Sequence, residues 1–87
     1  MIFYVALLEM LDKEKDEQIL EIHKAYLQEH IKNGNIYGKG PFTDHSGGMV
    51  IYKAASFEEA MELATNDPAV LQGTRKLTLK EWHSNLD

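Results

Sequence analysis

Residues 2–8 read Ile-Phe-Tyr-Val-Ala-Leu-Leu, an unbroken apolar run. β-Branched and aromatic side chains favour strands, and successive residues of a strand face opposite sides of a sheet. Because both alternating sets are apolar here, the pattern predicts a strand that is covered on both faces. Residues 49–52 (Met-Val-Ile-Tyr) have the same property. These two runs are therefore the candidates for the central strands of one sheet.

The first helix is predicted over residues 16–33, where apolar side chains recur with a period of 3.6. Asp16 is the candidate N-cap, and Gly34 can supply the left-handed position that ends the helix. Residues 35–43 then predict a weaker strand, and Pro41 within it is typical of an edge strand or a strand end. A glycine-containing turn joins this strand to the second apolar run as a hairpin.

The second helix is predicted to begin at a capping box, with Ser56 at the cap and Glu59 three residues later. Pro68 ends it, because a proline disfavours the helical conformation of the residue before it. Residues 74–82 alternate between apolar and polar side chains, which predicts a half-exposed last strand. The predicted order is β-α-β-β-α-β.

Two β-α-β units that share one sheet predict an α+β, ferredoxin-like sandwich formed by a single domain over residues 1–87. The expected sheet order is 4-1-3-2, with both helices on one face. The two strands that are apolar on both sides then lie in the centre, so one apolar sheet face has no helix to cover it. We expect a second copy of the chain to cover it by packing sheet on sheet, giving a homodimer. The alternative is that this face serves some other partner.

The composition excludes several classes of function. The chain has 9 Lys and Arg against 14 Asp and Glu, a net charge of −5, which argues against nucleic-acid binding. It has no cysteine, so disulfides, thiol nucleophiles and thiolate metal sites are excluded. The apolar start is too short to span a bilayer and lacks a basic flank and a cleavage site. We therefore expect a cytoplasmic protein that does not bind membranes.

His23 and Asp44 are the candidate catalytic residues. The topology places the amino end of the first helix, the hairpin turn and Asp67-Pro68 at one end of the sheet. A carboxylate beside an imidazole fixes its tautomer and makes it a better base. The alternative interpretation is that His23 is a satisfied core residue and that Asp44 only forms the turn.

The hairpin loop over residues 40–48 contains three glycines, so its backbone can approach a small ligand closely. Tyr4, Tyr26 and Phe42 are candidate walls of the pocket. The predicted substrate-binding residues are Tyr26, Gly40, Pro41, Phe42 and Gly48. The four histidines show no ligand spacing such as His-x-x-x-His, so we expect neither a metal nor a cofactor.

Taken in order, several short motifs resemble the YciI-like (YCII-related domain) family over nearly the whole chain. They are His23-x-x-Tyr26-Leu27, Gly40-Pro41-Phe42-x-Asp44-x-x-Gly47-Gly48, Ser56-Phe57-Glu58-Glu59-Ala60, Asp67-Pro68 and Trp82. The resemblance implies a ferredoxin-like fold that dimerises into an α+β barrel, as in muconolactone isomerase and related small enzymes. It also implies a His–Asp pair in a pocket, which maps onto His23 and Asp44.

The chain departs from the family at the start of the first helix. Members often carry a basic residue shortly before the helix histidine, whereas Glu21 and Ile22 stand there in this chain. Lys24, Lys39 and Lys53 are the alternative sources of positive charge for an anionic substrate.

Two functions are consistent with these residues. The first is a cofactor-independent enzyme, an isomerase or lyase, in which His23 and Asp44 move a proton on a small cyclic or aromatic molecule. The second is a non-catalytic module that binds a small ligand or serves as a structural dimer. An open pocket that holds His23 within hydrogen-bond reach of Asp44 favours the enzyme, and a sealed His23 bonded only to backbone favours the module.

Overall fold

The computed structural model describes residues 1–86, so Asp87, the last residue of the predicted domain, lies outside the described residues. Four strands and four helices follow one another along the chain. They are β1 (Ile2–Met10), α1 (Lys13–Gln18), α2 (Leu20–Lys32), β2 (Ile36–Pro41), β3 (Gly47–Tyr52), α3 (Phe57–Thr65), α4 (Pro68–Leu71) and β4 (Arg75–His83). The strands form one antiparallel sheet in the order β2-β3-β1-β4. This confirms the predicted α+β, ferredoxin-like fold and the predicted order 4-1-3-2.

The hydrophobic core lies between one face of the sheet and the helices. On β1 and β3 it takes alternate residues, and the register pairs Tyr4 with Tyr52 and Ala6 with Val50. Leu27 of α2 and Ala60 of α3 pack against the same strand residues. Each large apolar side chain that is removed from water contributes about 1.5–3 kcal/mol, so this layer holds the helices to the sheet.

The first helix differs from the prediction. It begins earlier, at Lys13, and is divided at Ile19 into α1 and α2. Asp12, not Asp16, is the N-cap, and its side chain accepts a hydrogen bond from the backbone N–H of Lys15 at 3.0 Å. Asp16 lies within α1 and is buried because it pairs with Arg75, a partner 59 residues away that local periodicity does not reveal.

The second helical region follows its predicted signals. The N-cap at Ser56 is confirmed, since the Ser56 hydroxyl oxygen accepts a hydrogen bond from the Glu59 N–H at 3.1 Å. This is one of the two hydrogen bonds of the predicted capping box. Asp67 then caps the short helix α4, in which Pro68 occupies the first turn. Proline suits that position because the missing N–H would have no partner in the helix.

The other sheet face carries apolar side chains that no helix of the described residues covers. Phe3 is fully buried there because the rings of Tyr37 and Trp82 lie against it, at centroid distances of 4.7 and 6.2 Å. Tyr37 and Trp82 are themselves 42% and 37% exposed. We call this surface the open face; it also includes Val5 and Ile51, which pair across β1 and β3.

Within residues 1–86, each helix is too short or too polar to cross a lipid bilayer.

Candidate functional site

A cleft of about 230 Å³ opens at the end of the sheet where β1 and β2 end and β3 and β4 begin. The first turns of α2 form its other side. Its volume is below the roughly 300–1,000 Å³ of pockets that accept drug-sized ligands, so it suits a molecule of about one ring. Twelve residues line it: Leu8, Leu20, His23, Lys24, Leu27, Lys39, Gly40, Pro41, Gly48, Met49, Val50 and Arg75.

His23 lines the cleft, and a buried carboxylate holds its imidazole ring. Its Nδ1 atom lies 2.6 Å from Oδ1 of Asp67, and both side chains are almost completely buried. The same Oδ1 accepts a hydrogen bond from the N–H of Ala69 at 3.0 Å, so the capping geometry of α4 fixes the carboxylate. With Nδ1 engaged by Asp67, Nε2 is the ring nitrogen left to face a ligand.

The predicted contact between His23 and Asp44 is wrong. Asp44 lies in the exposed hairpin turn, where its Oδ1 accepts a hydrogen bond from the N–H of Ser46 at 2.9 Å. Hydrogen bonds from Ser46 hold the pKa of Asp44 below its ordinary value. The Asp44 carboxylate bonds to the backbone of its own exposed turn and so points to solvent, whereas the cap of α4 directs the Asp67 carboxylate inward.

The sequence carries a signal for Asp67 that the predicted pairing of His23 with Asp44 leaves out. An Asp directly before a Pro is typical of an N-cap followed by the first helical residue. The predicted topology had already placed Asp67-Pro68 at the same end of the sheet as His23. Combining the two would have identified Asp67 as the partner.

A second buried polar cluster lies beside the first. Nε and Nη2 of Arg75 each donate to one carboxylate oxygen of Asp16 at 2.9 Å, and the Thr74 hydroxyl donates to Oδ1 at 2.7 Å. Burial by itself raises the pKa of Asp16, but the hydrogen bonds from Arg75 and Thr74 and the charge of Arg75 outweigh it, so the pKa is lowered. The bidentate pair fixes the Arg75 guanidinium at the cleft wall.

The predicted substrate-binding residues divide into two groups. Gly40, Pro41 and Gly48 line the cleft together with His23. Phe42 does not; it borders a second depression of about 370 Å³ that also includes Tyr37 and Ile51 of the open face.

Tyr26 is also outside the cleft lining. Its hydroxyl donates to the carbonyl oxygen of Leu63 at 2.6 Å, and its ring packs against His30. Burial, followed by the negative charge of Asp67, raises the pKa of Tyr26 to about 12. Tyr4, the other proposed wall, belongs to the hydrophobic core.

Gly48 is a cleft residue whose lack of a side chain matters. A Cβ atom built there would lie 2.9 Å from the carbonyl oxygen of Gly40 and 3.6 Å from Nη1 of Arg75. A side chain would therefore crowd the neighbouring strand and fill space beside the guanidinium.

Comparison with known proteins agrees with this architecture. The sequence model of the YCII-related domain matches residues 2–83. A relative from Bacillus subtilis (strain 168), the "Uncharacterized protein YjpA", is 49% identical over 43 residues, and the match spans 49% of this chain and about half (51%) of that protein.

A solved structure with a similar fold is 5-chloro-2-hydroxyhydroquinone dehydrochlorinase (TftG) from Burkholderia phenoliruptrix AC1100, in complex with 2,5-dihydroxybenzoquinone. It superimposes with a TM-score of 0.76 over 95% of this chain and 94% of that one, at 21% sequence identity. At that identity the similarity establishes the fold. Because the family match extends over nearly the whole chain, this protein belongs to the YCII-related domain family.

Proposed function

We propose that this protein is a cofactor-independent enzyme, an isomerase or lyase, that moves a proton on a small organic molecule. The observation that carries the proposal is that His23 lines an open cleft while its Nδ1 is held by the buried carboxylate of Asp67. His23 takes the role of general base that the sequence assigns to it. Asp67 takes the orienting role that the sequence assigns to Asp44.

In the proposed reaction, Nε2 of His23 removes a proton from a carbon next to an electron-withdrawing group, and the electron pair of the broken C–H bond moves into that group. Asp67 holds the neutral ring in the tautomer with an accepting Nε2 and stabilises the charge that the ring gains. Return of the proton to another carbon completes an isomerisation. In an elimination, the electron pair instead returns to form a C=C bond, an anion leaves the neighbouring carbon with the electrons of its bond, and His23 gives its proton to solvent. The dehydrochlorinase name of the structural neighbour supports this second outcome.

The proposal includes a homodimer formed through the open face. The apolar side chains of Val5 and Ile51 and the exposed rings of Tyr37 and Trp82 support it. A single domain over residues 1–87, a cytoplasmic location and a small-molecule ligand remain predictions of the sequence.

The test is a hydrogen-exchange assay that needs no knowledge of the natural substrate. Small cyclic ketones, lactones and phenols would be incubated with the protein in D2O, and loss of their acidic C–H signals would be followed by ¹H NMR. We expect wild type to accelerate exchange and His23→Ala to abolish the acceleration with the fold intact. His83→Ala is the matched control, because that side chain is 78% exposed on β4. Exchange that persists in His23→Ala would contradict the proposal.

The alternative function is a non-catalytic module that binds a small ligand or forms a structural dimer. The observation in its favour is that the His23–Asp67 bond also joins α2 to α4 inside the core. If His23→Ala lowers the melting temperature strongly and wild type exchanges no ligand of the set, the module is the better description.

A further inference from the structure

Positive charge is concentrated in the cleft that contains His23. Lys24 of α2, Lys39 of β2 and Arg75 of β4 line it, and no carboxylate of residues 1–86 does. This arrangement runs against the composition, in which acidic residues outnumber basic ones by 14 to 9. Within residues 1–86, neither Lys24 nor Lys39 forms a salt bridge. The charge of Arg75 is paired with Asp16, so the two lysines carry the uncompensated positive charge, and such charge in a concave site attracts anions.

Arg75 is the fixed member of this group. Asp16 occupies its Nε and Nη2 atoms, while the described residues offer Nη1 no hydrogen-bond partner. Nη1 lies 3.6 Å from the position that a Cβ on Gly48 would take, at the wall of the cleft. A guanidinium that is already held in place loses little freedom when a further anion binds to it. Gly48 adds no side chain beside Nη1.

The remaining lining is apolar and suits the carbon body of a ligand. It is formed mainly by Leu8, Leu20, Leu27, Met49 and Val50. Small-molecule sites typically combine an apolar wall of this kind with a few convergent polar groups that fix the orientation of the ligand. The charged groups and His23 are the polar groups here.

We propose that the cleft binds a one-ring organic carboxylate, with its charged oxygens toward Arg75, Lys24 and Lys39 and its ring against the apolar wall beside His23. This rests on the proposed function for the role of His23 and specifies the substrate class of the same site. The cations also serve the chemistry, because removal of a proton from carbon creates a second negative charge that they stabilise. The positive charge that the sequence lacks before His23 is thus supplied by residues from three different elements.

The test compares benzoate with benzamide, two ligands of the same shape that differ in charge. Binding would be measured by NMR titration of ¹⁵N-labelled protein. We expect benzoate to bind about tenfold more tightly, as one charge-assisted contact predicts, and its binding to weaken with added salt. Equal binding of the two probes, or no binding of benzoate to wild type, would overturn the inference.

The variants assign the effect to the cleft. Lys24→Met combined with Lys39→Met should reduce benzoate binding by about tenfold and leave benzamide binding unchanged. Lys76→Met combined with Lys80→Met is the matched control, because it removes two lysines from β4 that do not line the cleft. An equal loss in both proteins would show a general effect of net charge and would contradict the site.

The same titration in His23→Ala separates this inference from the proposed function. If wild type exchanges no ligand protons but His23→Ala still binds benzoate more tightly than benzamide, the anion site is supported and the enzyme is rejected. If wild type exchanges the protons of neutral ligands and of carboxylates equally well and binds benzoate no more tightly than benzamide, the enzyme is supported and the anion site is rejected.

Discussion

Asp67 can hold the histidine, and Asp44 cannot, because of where each carboxylate finds its backbone partner. Asp67, itself buried, accepts from Ala69 at the start of α4 and keeps contact with His23, whereas Asp44 accepts from Ser46 in an exposed turn. Asparagine forms both backbone bonds equally well, so substitution tests the charge alone.

We therefore predict that Asp67→Asn lowers proton exchange by roughly 10²–10⁴-fold, because the neutral amide oxygen, which still accepts from Ala69 and from Nδ1 of His23, no longer stabilises the charge that the ring gains. Long-range ¹H–¹⁵N NMR spectra of the imidazole would show that the proton stays on Nδ1 in the variant. Asp44→Asn is the matched control and should change neither measurement. A comparable loss of exchange in Asp44→Asn, with the Asp67 variant unaffected, would restore the pair that the sequence suggested.

Asp16 makes stability depend on pH. Its pKa in the folded protein is below the ordinary value of 3.8, so its contribution is complete above pH 3.8 and is lost as the pH falls through the folded pKa. Asp16→Asn should lower the free energy of unfolding at pH 7 by about 3 kcal/mol, because it leaves Arg75 without its partner. Urea unfolding at several pH values should show this difference shrinking below pH 3.8. Glu17→Gln, an exposed neighbour in α1, should cost less than about 0.5 kcal/mol. A difference that does not vary with pH would refute the explanation.

At the scale of elements, the start of β3 requires a glycine. Gly47 has a φ of +148°, and a Cβ atom there would lie 1.9 Å from the carbonyl oxygen of Leu8 on β1. We predict that Gly47→Ala lowers the free energy of unfolding by at least about 2 kcal/mol, measured by urea denaturation. Gly38→Ala is the control, since a Cβ on that β2 glycine meets nothing within 4 Å. Equal stability of the two variants would show that the β1–β3 junction adjusts freely.

The elements themselves were largely predictable, and the limits of prediction lay in long-range polar contacts. The doubly apolar strands β1 and β3, the Ser56 cap and the strand order all follow from periodicity and chain connectivity. The burial of Asp16 does not, because it depends on Arg75 across the fold. The break at Ile19, where φ is −106° and ψ is 10°, is not marked by the helical period either. At the site, the local pattern located His23, whereas its partner Asp67 follows from combining the Asp67-Pro68 cap signal with the topology and not from the turn at Asp44.

At the scale of the molecule, the two faces of the sheet differ in what covers them. Helices α2 and α3 bury one face, while the other exposes Tyr37 and Trp82 around the half-buried Ile51. Exposed apolar patches of this kind mark interaction surfaces. A second copy supplies an identical sheet, which matches the first in shape and in apolar character.

We predict that the wild-type chain is a dimer in light scattering at micromolar concentration and that Ile51→Lys converts it to a monomer. A charge at the centre of a sheet-on-sheet contact would be buried without a partner, which disfavours association by several kcal/mol. Ile22→Lys is the matched control: that isoleucine is 53% exposed on α2, away from the open face, and its replacement should leave the dimer intact. Circular dichroism would verify that both variants are folded. A wild-type monomer would contradict the dimer. A dimer that is lost in the Ile22 variant and kept in the Ile51 variant would place the interface elsewhere, because a stable contact of more than roughly 1,000 Å² across the open face must include Ile51.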